Sequence, residues 1–211
     1  GIPYWTTDIG GYSGGDPSKK DYQELFIRWF QYGTFCPIFR AHGRRYPGDT
    51  KAPNELWAYG PEVQRICTDF IKLRYRLLPY IYTLSDRVTR EHYTPMRLLA
   101  FDFPQDEKVL DCKDHFMYGP ALLVCPILEA GATSRSVYLP EGHTWFDFWT
   151  GKKYQGGITV MAEASLSTMP LFVKAGSIIP YYMSVEKNIN TEIPLEIHVF
   201  TGEDAIFNLY E

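Results

Sequence analysis

The pattern of hydrophobic and polar positions changes character near Thr94. Before this point, apolar runs at 2–9 and 35–41 are each followed by a loop rich in Gly, Pro and polar residues. Apolar residues with helical spacing then follow these loops, at 21–33 and at 60–92. A strand, a loop and a helix that repeat in this order predict (β/α) units with parallel strands.

Two local signals predict where the helices begin and break. Asp21 resembles an N-cap, because Glu24 follows three residues later as in a capping box, and Gly33 closes the amphipathic run. Within 60–92, Pro79 lacks a backbone donor and disfavours an uninterrupted helix. The sequence therefore predicts either a kink at Pro79 or two abutting helices.

Beyond Thr94 the apolar segments shorten, and turn signals separate them at a spacing of about ten residues. This pattern is typical of an antiparallel β-sandwich. A further pair of strands near 194–200 and 205–210 predicts the beginning of another β domain. The expected divisions are an α/β segment at 1–93, a β-sandwich at 94–187 and the start of a distal β domain at 188–211.

Polar side chains follow both predicted strands of the first part. Asp8 ends the first strand, a glycine pair and Tyr12 come next, and Arg40 and His42 end the second strand. Because the carboxyl ends of parallel barrel strands meet at one rim, where α/β barrels carry their chemistry, we expect one site built from both strands. Arg40 is positioned to pair with a carboxylate. A structural hydrogen-bonding role for Asp8 and plain loop packing for Tyr12 are the alternatives.

Charge and composition exclude several classes of partner. A net charge of −4 argues against a nucleic-acid partner, since phosphate binding needs clustered Lys and Arg. No apolar run approaches the roughly 20 residues of a membrane span. Aromatic residues make up 16% of the chain, which fits either large core residues or rings that cover the apolar face of a sugar.

The cysteines and glycines carry no recognisable cofactor or metal motif. The four cysteines, Cys36, Cys67, Cys112 and Cys125, form no CxxC pair and no Cys/His ligand spacing. No nucleophile elbow and no phosphate-cradling glycine loop occurs. We therefore expect no metal and no cofactor. Isolated buried thiols are the default interpretation, and a disulfide stays open.

Short runs spread over nearly the whole chain resemble, in the same order, glycoside hydrolase family 31, the family of retaining α-glucosidases and α-xylosidases. They are residues 1–12, 28–33, 36–43 and 77–82 in the first part, and 114–119, 122–124, 137–140, 145–151 and 175–180 in the second. Because the runs keep the family's order, chance is a poor explanation of the likeness.

The resemblance implies the C-terminal part of a (β/α)8 TIM barrel, with 2–8 and 35–41 as its seventh and eighth strands. An antiparallel β-sandwich would follow, and then the opening of a distal β domain. In that family two aspartates act as nucleophile and general acid/base, about 5 Å apart in retaining enzymes. Both belong to barrel segments before the stretch that matches Gly1. We therefore expect no catalytic residue in this chain, and the N-terminal remainder of the same protein as its partner.

The resemblance also assigns roles to the candidate residues. Asp8 would organise the −1 subsite that holds the sugar. Tyr12 would place its ring against the sugar face, where the family usually has Phe. His42 would hydrogen-bond sugar hydroxyls, and Arg40 and Ile9 would support this rim.

The loop 10–20 and the form of residues 36–45 look most like bacterial α-xylosidases. This favours an enzyme that releases xylose from xyloglucan-type oligosaccharides. An α-glucosidase of the same family is one alternative, and a non-catalytic structural or carbohydrate-binding fragment is another for the chain alone. The compartment stays open, with a periplasmic or secreted bacterial protein favoured over a cytoplasmic one.

Overall fold

The computed structural model describes residues 2–45, 53–185 and 193–210. Its helices are α1 (Lys20–Thr34), α2 (Pro61–Arg76), α3 (Leu78–Glu91) and the single turn α4 (Leu99–Asp102), with 3₁₀ turns at Leu56–Tyr59 and Glu107–Val109. Its strands are β1 (Met96–Arg97), β2 (Phe116–Tyr118), β3 (Leu122–Val124), β4 (Ser134–Leu139), β5 (Thr144–Asp147), β6 (Lys153–Gln155), β7 (Ile158–Glu163), β8 (Leu171–Lys174), β9 (Ser177–Tyr182) and β10 (Leu195–Phe200). No helix among these residues is long and apolar enough to cross a bilayer.

The two predicted barrel strands lie side by side in parallel, but neither is a continuous strand. Isolated bridges join Ile9 to Ala41 and Ser13 to Arg44. Closer to the start, the Ile38 amide donates to the Trp5 carbonyl at 3.1 Å. A barrel strand is regular because it pairs on both sides, whereas in the described residues these two segments pair only with each other. The prediction of regular strands at 2–9 and 35–41 is corrected to this pair of parallel segments.

Helix α1 begins earlier than its sequence signal indicates. Its N-cap is Lys19, so the prediction that Asp21 is the cap is wrong by two residues. The chain reverses before Asp21, because the Asp16 carbonyl accepts a hydrogen bond from the Lys19 amide at 3.0 Å. Asp21 instead lies in the first helical turn, where a carboxylate faces the positive end of the helix dipole.

The long helical region is two abutting helices, as one of the two alternatives predicts. Helix α2 ends at Arg76, Leu77 joins it to α3, and Pro79 lies in the first turn of α3. A proline costs no hydrogen bond there, because the first amides of a helix have no intrahelical acceptor.

The second half is an antiparallel β-sandwich. Six strands form one sheet in the order β1-β2-β3-β8-β5-β6, and β4 pairs with β7 as a second layer. Alternate sheet residues point to opposite sides: Met117 and Leu123 join the core shared with β4 and β7, whereas Leu122 and Val173 pack with the helices. The large sheet is therefore the common wall between the barrel segment and the rest of the sandwich.

The last strand departs from its prediction. Strand β10 pairs with β9 over Leu195–Phe200, and 205–210 forms no strand. The Phe207 ring instead stacks on Tyr80 of α3, with ring centroids 5.9 Å apart. The predicted boundary at 187/188 lies outside the described residues, so the division into three domains stays a prediction.

Candidate active-site rim

An ion pair joins the ends of the two parallel segments. Both Nη2 and Nε of Arg40 donate to Oδ1 of Asp8, at 2.7 and 3.3 Å. The side chains are 28% (Asp8) and 48% (Arg40) exposed, so the pair lies at an open rim. Because both nitrogens use the same oxygen, Oδ2 of Asp8 takes part in neither bond with Arg40.

Two rings lie beside this pair. The centroids of Tyr12 and His42 are 5.7 Å apart, and their planes are inclined by 37°. The guanidinium of Arg44 lies 5.9 Å from the Tyr12 ring centroid, a contact that the sequence pattern did not indicate. Tyr12 is 59% exposed, which leaves most of its ring open to a ligand. The structure thus brings Asp8, Tyr12, Arg40 and His42 to one rim.

Ile9 anchors the first parallel segment to helix α1. Its side chain is 1% exposed and packs against Gly33 of α1. A Cβ at Gly33 would lie 2.6 Å from Cδ1 of Ile9, so a side chain at this position would displace the Ile9 side chain. A hydrogen bond also joins α1 to this segment: Nε1 of Trp29 donates to the Thr7 hydroxyl at 3.0 Å.

Glycine also brings the two segments together at the rim. Gly43 has φ +123°, and a Cβ there would lie 2.4 Å from the Tyr12 carbonyl oxygen. The Arg44 amide donates to that same oxygen at 2.9 Å. The loop that carries Tyr12 therefore rests directly on the backbone that follows His42.

A second polar cluster lies in the sandwich part, away from this rim. The Nδ1 of His115 is 2.7 Å from Oδ1 of Asp114, and Cys112 Sγ is 3.2 and 3.4 Å from Nδ1 and Nε2 of His115. Their ligand atoms lie within 4.8 Å of one another, a grouping that a search for CxxC and Cys/His spacings overlooks. Burial lowers the pKa of His115.

Hydrogen bonds already occupy this cluster. Arg135 donates to Oδ2 of Asp114 at 2.5 Å. The sulfur is almost equidistant from both ring nitrogens of His115, which places it over the ring rather than in line with a nitrogen lone pair. The cluster is therefore better suited to tie the loop before β2 to β4 than to bind a metal ion. All four cysteines are free thiols, and burial raises the pKa of Cys36 to about 11 and that of Cys67 to about 12.

A large apolar cleft opens between the first segment, α1 and the sandwich. Its volume is about 790 Å³, and its lining includes Trp5, Leu25, Trp29, Phe101, Phe116 and Leu128. None of the candidate rim residues lines it. Trp5 and Thr7 reach the cleft, whereas Asp8 reaches the rim, because successive residues of an extended segment point to opposite sides.

Comparisons with known families cover most of the sequence. The TIM-barrel domain model of glycosyl hydrolases family 31 matches residues 1–84, and the C-terminal domain model of the same family matches residues 92–179. The chain belongs to glycoside hydrolase family 31. Its fold is the C-terminal part of a TIM barrel followed by an antiparallel β-sandwich, which confirms the fold class predicted from the sequence.

Relatives of this family 31 chain include enzymes with two named activities. An α-xylosidase of Saccharolobus solfataricus is 41% identical over all of the chain and 28% of that protein. Alpha-glucosidase 2 of Bacillus thermoamyloliquefaciens is 34% identical over all of the chain and 26% of that protein. The solved α-xylosidase of Xanthomonas citri matches with a TM-score of 0.90 at 41% identity, covering 99% of this chain and 23% of that one. The chain thus spans about a quarter of the length of these relatives.

Proposed function

We propose that the full-length protein is a retaining α-glycoside hydrolase, and that it acts as an α-xylosidase on xyloglucan-type oligosaccharides. The observation that carries the proposal is the rim itself. A carboxylate, an imidazole and an open aromatic ring meet where two parallel barrel segments end. Such a set fits a sugar, which needs polar groups for its hydroxyls and an apolar surface for its C–H face.

Each rim residue has a distinct role in this proposal. Asp8 is held by Arg40 through Oδ1, which leaves Oδ2 to accept a hydrogen bond from a sugar hydroxyl. Its negative charge also favours the oxocarbenium character that develops in the transition state. His42 bonds a second hydroxyl, and Tyr12 covers the sugar face.

We assign neither the nucleophile nor the general acid/base to this chain. A retaining pair needs two carboxyl groups about 5 Å apart on either side of the glycosidic bond. Asp8 is already committed to an ion pair, and an acid/base residue must exchange its proton during the reaction. The two catalytic carboxylates therefore come from other barrel strands of the full-length protein.

We also propose that the apolar cleft is filled by the remainder of the barrel. In a TIM barrel, helices cover the outer face of every strand. Helix α1 lines one wall of the cleft, and Trp5, 45% exposed, marks the part of the first segment beside α1 that stays uncovered. The helix that precedes this segment in the barrel is the partner that fits there.

The experiment compares kcat/KM of the full-length protein for an aryl α-xyloside and for the matching aryl α-glucoside. We expect the xyloside to be preferred and the first-formed xylose to be the α-anomer by NMR. A preference for the glucoside would support the α-glucosidase alternative, to which the Bacillus relative belongs. Release of the β-anomer, or no hydrolysis of either substrate, would contradict a retaining α-glycosidase.

A further inference from the structure

Arg45 is a buried cation directly beneath the rim. Its side chain is among the largest that are fully buried, and the residue is 1% exposed. Its nitrogens donate to the Tyr59 hydroxyl (2.8 Å) and to the carbonyls of Ile9 (3.0 Å), Gly11 (2.9 Å), Arg44 (3.0 Å) and Gly14 (3.4 Å). Placing a charge away from water costs free energy unless its hydrogen bonds are satisfied. These five acceptors satisfy the guanidinium.

The acceptors converge because the loop 9–14 is held by glycines. Gly10 and Gly11 have φ values of +84° and +83°, a region that other residues rarely adopt. A Cβ at Gly10 would lie 2.6 Å from Nη2 of Arg45, so the loop backbone lies directly against the guanidinium. No regular helix or strand holds this loop. Its conformation depends on individual hydrogen bonds, and Arg45 donates to three of its carbonyls, those of Ile9, Gly11 and Gly14.

Two tyrosines hold the guanidinium in place. The Tyr59 hydroxyl, which accepts from Nε, donates in turn to Oδ1 of Asn54 at 2.7 Å. The Tyr22 ring lies 5.6 Å from the guanidinium carbon, and the Tyr22 hydroxyl donates to the Gly10 carbonyl at 2.8 Å. Tyr22 thus contacts both the cation and the loop, whereas Tyr59 holds the cation alone.

Backbone hydrogen bonds connect the loop that Arg45 holds to the rim residues. The Gly14 amide donates to the Arg44 carbonyl at 3.0 Å, and the Arg44 amide donates to the Tyr12 carbonyl at 2.9 Å. Arg45 donates hydrogen bonds to the carbonyls of Gly11 and Gly14, which flank Tyr12 in the loop, and to the carbonyl of Arg44 in the facing segment. We propose that Arg45 is a positioning residue of the sugar site, which fixes loop 9–14 and thereby holds the Tyr12 ring beside His42. The connection to a sugar rests on the proposed function.

Arg28 provides a matched control. It is also a buried guanidinium, 7% exposed, and it donates to the carbonyls of Ala132, Ala164 and Ser165. These bonds fasten α1 to the sandwich and involve no residue of the rim. A purely structural role for Arg45 would make Arg45→Lys and Arg28→Lys behave alike.

The first test is kinetic and uses the full-length protein with an aryl α-xyloside. Lysine keeps the charge but cannot reach all of the acceptors, so we expect Arg45→Lys to raise KM about tenfold. The kcat should be nearly unchanged, because Tyr12 contacts the sugar equally in the ground and transition states. Arg28→Lys should leave KM unchanged even if it lowers the melting temperature.

A double-mutant comparison tests whether Arg45 acts through Tyr12. In a Tyr12→Ala background, Arg45→Lys should raise KM by less than about twofold, because the ring that it positions is gone. An undiminished tenfold effect would overturn the proposal. If Arg45→Lys does not fold, Tyr59→Phe removes the hydroxyl that accepts from Nε of Arg45 and donates to Asn54, and leaves the four carbonyl bonds of Arg45 in place. We expect this milder change to raise KM about threefold.

Hydrogen exchange tests the loop whatever the enzyme hydrolyses. We expect the amides of Gly11, Gly14 and Arg44 to exchange faster in Arg45→Lys than in wild type, and to be unchanged in Arg28→Lys. Equal exchange in all three proteins would overturn the anchoring of the loop. A wild-type protein that turns over no α-glycoside would contradict the proposed function, while these amides would still decide whether Arg45 holds the loop.

Discussion

At the scale of single residues, the rim combines an exposed ion pair with a buried cation, and the two affect the protein differently. Exposed ion pairs contribute about 0–1 kcal/mol to stability, because water screens them. The Asp8–Arg40 pair belongs to this class. The main effect of this ion pair is therefore to orient the Asp8 carboxylate. Arg45, in contrast, is buried and binds backbone carbonyls of the loop.

This difference makes Asp8→Asn informative in the full-length protein. Asparagine keeps the shape but loses the charge that would face a developing oxocarbenium ion, so we expect kcat/KM to fall roughly 100-fold. The melting temperature should hardly change. Asp69→Asn is the matched control, since Asp69 pairs with Arg65 on the exposed face of α2. An equal effect of both substitutions on kcat/KM would contradict a site role for Asp8.

At the scale of elements, the structure separates signals that act locally from those that need a neighbour. Pro79 correctly predicted the break between α2 and α3, because proline lacks a backbone N–H and so disfavours a helix interior whatever its tertiary surroundings. The prediction of Asp21 as the N-cap was wrong, since the position of the cap depends on where the preceding turn closes. The turn from Asp16 to Lys19 places the cap at Lys19, two residues before Asp21. The segment 205–210 was predicted to pair as a strand, but it packs against α3 instead. Tertiary contacts, which the local sequence does not show, decide between these two arrangements.

Gly43 provides the sharpest test of how the two segments meet. In Gly43→Ala, the new Cβ would approach the Tyr12 carbonyl to 2.4 Å, and backbone on both sides cannot yield easily. We expect destabilisation of about 2–3 kcal/mol, measured by denaturant unfolding, together with loss of activity.

Gly142→Ala is the control for Gly43→Ala. Gly142 also has positive φ, +84°, but nothing lies within 4 Å of its added Cβ. Only the backbone preference is lost there, which costs about 1 kcal/mol. If the two alanines were equally destabilising, the close approach at Gly43 would not matter, and the described contact between the segments would be wrong.

At the scale of the whole molecule, the sequence predicted the rim but not what supports it. Asp8, Arg40 and His42 stand out because polar residues end apolar runs. Arg45 has no such signal, because four of its five partners are backbone carbonyls, which every residue carries. Arg74 likewise donates to the carbonyls of Thr34, Cys36 and Pro37. Only the folded chain shows which carbonyls converge on a cation.

The apolar cleft allows a test at this same scale. Leu25 is 48% exposed and lines the cleft, so a charge placed there is tolerable only while the cleft stays open to water. If the rest of the barrel fills the cleft, Leu25→Asp should lower the melting temperature of the full-length protein by several degrees. Leu110→Asp is the control, because Leu110 is equally exposed, at 50%, and lies outside the cleft lining. Equal melting temperatures for the two variants would show that nothing covers the cleft, since only a buried aspartate pays the cost of desolvation.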